Sequence, residues 1–431
     1  MNVVLQMTNL RTLIKNPYTV GRPIFKPENL FGRETILSFI QEQLTSGAKV
    51  TLLYGQRRMG MTSFMNNIAE YVSLDEFVFV RLSLEDKHNK SLDKILYDLA
   101  RNITDELGIS QTTINIPSQE DLKVEPQDFV DIFLLQVYQK LKRKNLVLLL
   151  DEFDMLWDNS YQKINSFVYF LISIINLQEK LFIILFVGKR ESSLEFIQGL
   201  FREVGKLPHK ELELLDKYNT IKLVTKIPRE ATNYKYDPDA IERIWELSGG
   251  HPYYTQLLCF NLFKQAREQN KWNVTYQDVQ EVINKSLEEG EPAFRSLIEV
   301  LSTRQKLIFS AVAEAQKRAT NSDHIVSPLV ILEMYDIKVT ENLIEELIIA
   351  AQHLVNLSFL EEIGEQKFRK RRVPIYKVRI KLFQLWLLKQ RPLERQRDLI
   401  NELFPKKSWV ERIWDKTNDN QIITRQIVSF I

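Results

Sequence analysis

The sequence predicts an α/β fold, with a parallel β-sheet covered by helices, followed by two smaller domains that are mainly helical. Short apolar runs alternate with amphipathic helical segments over the first half of the chain, which is typical of doubly wound parallel sheets. A loop with two glycines follows the first of these runs and leads directly into a helix. Beyond about residue 215 the apolar runs stop and helical periodicity dominates.

Size and composition indicate a globular protein of a reducing compartment. At roughly 150 residues per domain, 431 residues suggest two or three domains, and the net charge of +2 favours no class of partner. The single cysteine, Cys259, excludes a disulfide or cysteine-based metal site within the chain. The N-terminus lacks the pattern of a secretory signal. Polar residues interrupt the most apolar stretch, 164–188, so we expect a cytoplasmic protein with no membrane contact.

The first half yields four strands and five helices in alternation. Each predicted strand is a short run rich in β-branched and large apolar residues, as expected for strands buried on both faces. The helices show apolar residues at a spacing of three to four. We expect the strands at 50–54, 77–84, 146–150 and 181–187, and the helices at 35–44, 63–72, 91–107, 127–143 and 161–177.

The second half of the sequence predicts a helical lid followed by a winged helix. Helices near 215–226, 238–247 and 252–269 make the lid. Three further helices and two strand-like runs around a turn at 364–367 follow the plan of a winged helix, and another helix is expected at 381–390. The predicted organisation is a lead-in at 1–30, the α/β core at 31–212, the lid at 213–292, the winged helix at 293–391 and a helical tail at 392–431.

The loop after the first strand is a candidate phosphate-binding loop, formed by Gly55, Gln56, Arg57, Arg58, Met59, Gly60, Met61, Thr62 and Ser63. It fits the pattern G-x-x-x-x-G-K-[ST] except that Met61 replaces the lysine. Its glycines would let the backbone wrap around phosphate oxygens at the helix N-terminus, and Thr62 would ligate Mg²⁺. An ordinary glycine turn is the alternative, and this loop alone favours that alternative.

A second motif favours the nucleotide interpretation. Five apolar residues end at Asp151 and Glu152, the pattern of a Walker B strand. We assign Asp151 to Mg²⁺ and Glu152 to the general base that activates water. Solvated acids at a strand end are the alternative, which the upstream loop disfavours. The next strand ends at Lys189 and Arg190, where a cation would contact the γ-phosphate, although exposure to solvent is an equal alternative.

Together these motifs predict a three-layer P-loop NTPase core that binds ATP or ADP with Mg²⁺. The segments Phe31-Gly32-Arg33-Glu34, LVLLLDEFD and LSGGHPYYTQ, with the loop, resemble AAA-like ATPases of the STAND group and their archaeal-type relatives. The resemblance covers roughly residues 16–391. It implies adenine-side roles for Phe31, Gly32, Arg33 and Pro252.

Two residues near these motifs need separate interpretation. Met61 departs from the resembled group, which has lysine at that position, so we expect nucleotide binding with weak or no hydrolysis. His251 precedes a proline at a helix start, where a histidine is more often a cap or packing residue than a ligand. The five histidines are widely scattered, which argues against a zinc site.

The predicted hairpin of the winged helix carries a basic cluster. Five positive charges fall within six residues, at Lys367, Arg369, Lys370, Arg371 and Arg372. Such a cluster can grip DNA phosphates. A solvated loop or a protein-docking surface is the alternative, and nearby glutamates dilute the positive field.

Three functions therefore remain open from the sequence. The leading hypothesis is a nucleotide-dependent switch that acts on a protein partner and can oligomerise when nucleotide binds. The second is a DNA-handling ATPase, similar to replication initiators or transposon ATPase adaptors, that uses the winged helix. The third is a scaffold whose nucleotide is only structural.

Overall fold

The computed structural model describes residues 15–72, 75–87, 89–110, 113–158, 163–189, 193–226, 234–319, 324–337 and 339–396. The chain divides into two compact units. The first extends to Glu291 and includes Ile380–Leu382, and the second begins at Pro292. Most of the predicted tail and the first half of the lead-in lie outside the described residues.

A five-stranded parallel sheet forms the centre of the first unit, with the strand order β2-β3-β6-β1-β7. Two pairs of very short strands lie outside this sheet, β4 with β5 and β8 with β9. The strands are β1 (Val50–Gly55), β2 (Phe77–Ser83), β3 (Asn145–Asp151), β4 (Trp157–Asp158), β5 (Lys163–Ile164), β6 (Leu181–Gly188), β7 (His209–Leu212), β8 (Lys235–Tyr236) and β9 (Asn273–Val274).

Helices connect these strands along the chain. A π-helical segment, Phe129–Leu134, leads into α5. The helices of the first unit are α1 (Glu34–Thr45), α2 (Met61–Tyr71), α3 (Leu92–Glu106), α4 (Gln119–Val124), α5 (Leu135–Leu141), α6 (Ser166–Ile175), α7 (Ser193–Leu200), α8 (Lys217–Lys226), α9 (Pro238–Ser248), α10 (Pro252–Gln269) and α11 (Tyr276–Glu289).

Side-chain alternation along the strands builds a core on each face of the sheet. In β1, Leu52 joins a buried cluster with α3 to α7, whereas Leu53 joins a second cluster with α1 and α2. Because successive side chains of a strand point to opposite faces, one apolar run supplies both cores. The predicted parallel sheet between helices is confirmed.

The strand order determines where the two motifs lie. Strand β6 pairs with β1 on one side and with β3 on the other, so it separates them. The carboxyl ends of all five strands meet at one edge of the parallel sheet. At roughly 4.8 Å per strand, the backbones of β1 and β3 end about 10 Å apart along that edge, so side chains from the two motifs can meet there.

The lead-in is hydrogen-bonded to helices α2, α8 and α10 of the same unit. The Thr19 N–H donates to the Gln256 side chain on α10 over 3.0 Å. The Ile24 N–H donates to the Ser63 hydroxyl on α2, also over 3.0 Å. Residues 15–30 therefore form a strap between α10 and the helix that follows the phosphate loop.

The described residues of the second unit form five α-helices and an antiparallel hairpin, and the hairpin turn was predicted at the wrong place. The turn lies at Arg369 and Lys370, and Gly364 lies inside β10 beside a register shift. Glycine in a strand often marks such a bulge. That this unit is a winged helix stays a prediction. Its elements are α12 (Glu291–Glu299), α13 (Thr303–Arg318), α14 (Pro328–Met334), α15 (Glu341–Asn356), β10 (Leu360–Phe368), β11 (Arg371–Val378) and α16 (Lys381–Gln390).

Membrane and metal-binding features are limited in the part of the chain that the structure describes. There, every helix is too short or too polar to cross a bilayer. The same described ranges contain no group of three or more His, Cys, Asp or Glu side chains arranged to hold a metal ion. A cation at the sheet edge would therefore need oxygen ligands from another residue type or from a bound phosphate.

Candidate nucleotide-binding site

The loop between β1 and α2 has the backbone that a phosphate cradle requires. Gly60 has φ 86° and Arg58 has φ 66°, both in the left-handed region. The Met59 N–H donates to the Gln56 carbonyl over 3.3 Å, which closes a turn. Helix α2 begins at Met61 with Gly60 at its N-cap, and glycine has no side chain with which to cap the first N–H groups. Those groups and the helix dipole favour an anion.

Thr62 and Asp151 are brought together at the carboxyl edge of the sheet. The Thr62 hydroxyl donates to Asp151 Oδ2 over 2.8 Å, and the Glu152 N–H donates to Asp151 Oδ1 over 3.0 Å. Burial raises the pKa of the Asp151 carboxyl, and the Thr62 hydrogen bond opposes that shift. Mg²⁺ prefers oxygen ligands of these kinds, so the pair fits a magnesium site.

Glu152 has a left-handed backbone conformation, and its carboxyl group has a raised pKa. Its φ is 55°, and its Oε2 is buried without a hydrogen-bond partner among the described residues. Burial raises the pKa of this carboxyl to about 7, and Glu85 and Asp151 add to the shift. An unpartnered carboxylate oxygen beside Asp151 can accept a proton from water, which fits the predicted base.

Asp154 is a site residue that the sequence interpretation missed. It is buried, and its Oδ1 accepts the Gly188 N–H over 3.0 Å. The bond ties the segment after β3 to the end of β6. Asp154 also raises the pKa of Glu152. A further acid three residues after Asp151 was the available signal, but its partner lies in a strand distant in the sequence.

Lys189 lies at the end of β6 but is turned toward β7. Its Nζ forms an ion pair with Glu211 at 2.6 Å, and its N–H donates to the Gly55 carbonyl over 2.7 Å. The ammonium is thus held by a carboxylate at the sheet edge. Arg190, the other candidate cation of this strand end, lies outside the described residues.

Arg33 lies beneath the phosphate loop. Its guanidinium is buried and donates to the Met59 carbonyl over 2.8 Å and to the Glu213 carbonyl over 2.9 Å. Burial lowers the pKa of Arg33 to about 10, so the group stays charged at neutral pH. Phe31 packs with Leu215 in a small buried cluster. Arg33 therefore fastens the loop to the segment that precedes α8.

The segment before α10 also contacts the phosphate loop. The guanidinium of Arg58 lies 4.7 Å from the centre of the Tyr253 ring, a cation–π geometry. Pro252 is the first residue of α10. His251 is fully buried, and its ring nitrogens have no hydrogen-bond partner within the described residues. Burial, then Arg33 and Arg58, lower the pKa of His251 to about 3, so this ring is neutral.

Met61 projects into an apolar environment. Its side chain is partly buried and packs against the core cluster on the α1 and α2 face of the sheet, which includes Phe64. An apolar residue is therefore accommodated at the position where the loop pattern requires a cation.

The basic hairpin lies in the second unit, and its charges are largely paired there. Arg369 contacts Glu333 at 2.6 Å, and Arg371 contacts Glu341 at 2.8 Å. Arg372, whose side chain is 82% exposed, pairs weakly with Glu365 at 3.8 Å. Within the described ranges, Lys367 and Lys370 form no ion pair. The cluster thus presents less net charge than its sequence suggests.

Gly250 lies in the link between α9 and α10, where we expect any side chain to destabilise the fold. Its φ is 76°, and a Cβ atom there would lie 2.0 Å from the Leu215 carbonyl oxygen. We expect Gly250→Ala to lower the free energy of unfolding by roughly 2–5 kcal/mol, from left-handed strain plus overpacking. Gly108 has φ 60° with open space around it, so Gly108→Ala should cost only about 1–2 kcal/mol. Denaturant unfolding of both variants tests this, and equal losses would contradict it.

Comparison with known proteins identifies a family and two similar folds. The family described as ATPase domain predominantly from Archaea matches residues 30–258, more than half of the chain. No curated protein sequence matches the chain. The fold is similar to the Walker-type ATPase paby2304 of Pyrococcus abyssi, with a TM-score of 0.57 and 16% identity over 85% of this chain and 98% of that one. It is also similar to the ORC2 protein of Aeropyrum pernix in its ADPNP–ADP complexes, with a TM-score of 0.56 and 15% identity over 90% and 97%. The chain therefore belongs to the family of ATPase domains that come predominantly from Archaea.

Proposed function

We propose that this ATPase-family protein is a nucleotide-dependent switch that holds ATP or ADP with Mg²⁺ and hydrolyses ATP slowly. The hydroxyl–carboxylate pair of Thr62 and Asp151 supports metal-dependent binding. The apolar Met61 in the phosphate loop supports slow hydrolysis, because the cation that stabilises charge on the transferred phosphoryl group is missing.

The roles of the chain's own groups follow from their placement. The N–H groups of the loop and of the α2 N-terminus would bind phosphate oxygens. Thr62 and Asp151 would hold Mg²⁺, which when bound polarises the phosphates. Glu152, with one unpartnered carboxylate oxygen, would take the proton from the attacking water.

In this proposal, contacts between the phosphate loop and the helical segment after residue 212 transmit a change of nucleotide state. Arg33 bonds the Met59 carbonyl of the loop and the Glu213 carbonyl together. The neighbouring Arg58 lies over Tyr253 of α10. A loop that rearranges around phosphates must move these partners or break their bonds, so nucleotide state can change the packing of α10.

Nucleotide binding and its structural effect are tested together. We expect calorimetry to detect both ATP and ADP in the presence of Mg²⁺, since the backbone contacts do not depend on Met61. Hydrogen exchange at residues 248–260 should then differ between the ATP, ADP and free forms. Arg58→Ala should reduce that difference. Binding without any change in exchange would favour the structural scaffold, and no binding at millimolar nucleotide would contradict the proposal.

A DNA-handling role is the second candidate, favoured by the 82% exposure of Arg372. We expect a variant with alanine at four hairpin positions to lose any duplex-DNA binding while nucleotide binding is unchanged, because those charges lie in the other unit. The four positions are Arg369, Lys370, Arg371 and Arg372. Low-salt titration with duplex DNA is the measurement.

A second basic surface supplies the matched control for this test. Alanine at Lys140, Lys142, Arg143 and Lys144 removes the same charge from the first unit, where these residues are exposed. If only this control weakens DNA binding, the hairpin is not the DNA site. If the unaltered chain binds no DNA, the hairpin charges serve a protein-docking or solvated surface.

A further inference from the structure

We propose that the strap, residues 15–30, is a tether that carries nucleotide-dependent movement of α2 to helices α8 and α10. This inference rests on the proposed function and adds a second connection, separate from the contact between Arg58 and Tyr253. The strap has two hydrogen-bonded ends and a short link between them. Each end is fastened to a different part of the first unit, so a shift of α2 must either move α8 and α10 or break hydrogen bonds, which costs free energy.

Three polar side chains of α2 hold the second end of the strap. Ser63, Asn67 and Tyr71 are spaced four residues apart, so they lie on one face of the helix. The Ile24 N–H donates to the Ser63 hydroxyl over 3.0 Å, and the Asn67 side-chain amide donates to the Ile24 carbonyl over 2.8 Å. The Tyr71 hydroxyl donates to the Pro27 carbonyl. Ser63 lies in the first turn of the helix whose N-terminus would bind phosphate, so a shift of that turn acts directly on the strap.

Residues 16–19 hold the first end of the strap against α8 and α10. The Asn16 side-chain amide donates to the Phe260 carbonyl of α10 over 2.9 Å. The buried Tyr18 hydroxyl donates to the Val224 carbonyl of α8 over 2.6 Å. With the bond between the next residue and α10 described above, these contacts fasten one stretch of four residues to both helices.

The middle of the strap, residues 20–23, is a largely exposed link between the two bonded ends. Within the described ranges, this link makes no hydrogen bond or ion pair. Gly21 has φ 70°, and no atom lies within 4 Å of the position that a Cβ would take. From Thr19 to Ile24 the chain can reach at most roughly 18 Å. The length of the link therefore limits how far α2 can move relative to α8 and α10.

Lengthening this link tests the tether without removing any of its bonds. Inserting Gly-Ser-Gly-Ser between Gly21 and Arg22 extends the unbonded link from four residues to eight. Doubling a flexible link weakens the coupling of its ends roughly threefold. We expect the ratio of hydrogen-exchange rates between the ATP and ADP forms to fall by about that factor at residues 217–226. The ratio at residues 252–255 should persist, because the Arg58 contact with Tyr253 does not involve the strap.

A matched control and a second variant keep the test specific. The same insertion between Gly205 and Lys206 lengthens another exposed link of the first unit, where Gly205 has φ 105° and open space around it. It should leave both ratios unchanged. Tyr18→Phe keeps the length of the strap and removes its bond to α8, so it should lower the ratio at 217–226 even if the strap insertion prevents folding.

The outcomes separate the tether from the proposed function. An unchanged ratio at 217–226 in both the strap insertion and Tyr18→Phe, with nucleotide bound by calorimetry, would overturn the tether. An equal loss in the control insertion would also overturn it, because the effect would not depend on the strap. Failure of the unaltered chain to bind nucleotide, or binding without any change in exchange, would instead refute the proposed switch.

Discussion

Replacing Met61 by lysine should tighten ATP binding roughly ten- to a hundred-fold, because a hydrogen bond to a charged group contributes about 1.5–3 kcal/mol. Turnover should rise about a hundred- to a thousand-fold, the usual effect of one electrostatic contact in the transition state. Isothermal calorimetry and phosphate release under saturating ATP measure the two effects. The gain in rate should exceed the gain in affinity, because charge on the transferred group is greatest in the transition state.

The packing of Met61 allows lysine to add a charge at this position without disturbing the apolar core. Its side chain lies partly buried against the cluster that includes Phe64, and the methylene groups of lysine can cover the same apolar surface. Met61→Leu is the matched control, because it keeps an apolar side chain without adding charge, and it should leave turnover unchanged. Rapid ATP hydrolysis by the unaltered protein would show that another cation stabilises the charge on the transferred phosphoryl group. No gain with lysine would mean that hydrolysis requires a partner.

The second large effect concerns the two acids after β3. Asp151→Ala should abolish the Mg²⁺-dependent part of nucleotide affinity, because the Asp151 carboxylate acts in the ground state beside Thr62. Glu152→Gln should keep that affinity and remove the residual turnover, because a base acts only in the chemical step. Calorimetry with Mg²⁺ or with a chelator, together with single-turnover hydrolysis, separates the two effects.

Controls for the acids come from the same segment. Asp154→Asn removes a negative charge near Glu152 but keeps an oxygen that can accept the Gly188 N–H. It should lower the pKa of Glu152 without removing Mg²⁺-dependent affinity, because Asp154 is one of the groups that raise that pKa. If Asp151→Ala and Glu152→Gln weaken nucleotide binding equally, the assignment of Asp151 as metal ligand and Glu152 as general base is wrong.

Much of the core could be predicted from the sequence, because its signals are local. Strands buried on both faces appear as continuous apolar runs, so four of the five sheet strands were located to within one or two residues. Helix α10 was predicted with its observed bounds, since Pro252 marks its first residue and Asn270 ends it in a left-handed conformation. The loop and the acid pair follow from motif spacing, and the shared sheet edge follows from parallel topology.

The features that were missed depend on distant partners. Strand β7 has the sequence His-Lys-Glu-Leu at the sheet edge, where polar residues are tolerated and no apolar run appears. The hairpin turn was misplaced because Gly364 resembles a turn residue until its pairing partner is known. The adenine-side role of Arg33 stays a prediction, whereas its bonds to the carbonyls of Met59 and Glu213 were not foreseen. Sequence alone does not reveal such contacts.

The interior position of β1, between β6 and β7 in the sheet, has a consequence for synthesis of the chain on the ribosome. Val50 pairs with Ile183, and Leu52 pairs with His209, so both neighbours of β1 emerge more than about 130 residues later. At roughly 5–20 residues per second, the first strand and the phosphate loop wait on the order of ten seconds or more for their partners. During that interval an apolar strand with two open edges is exposed to aggregation. Nascent chains should therefore depend on chaperones until β7 has left the exit tunnel, and nucleotide can assist folding only after that point.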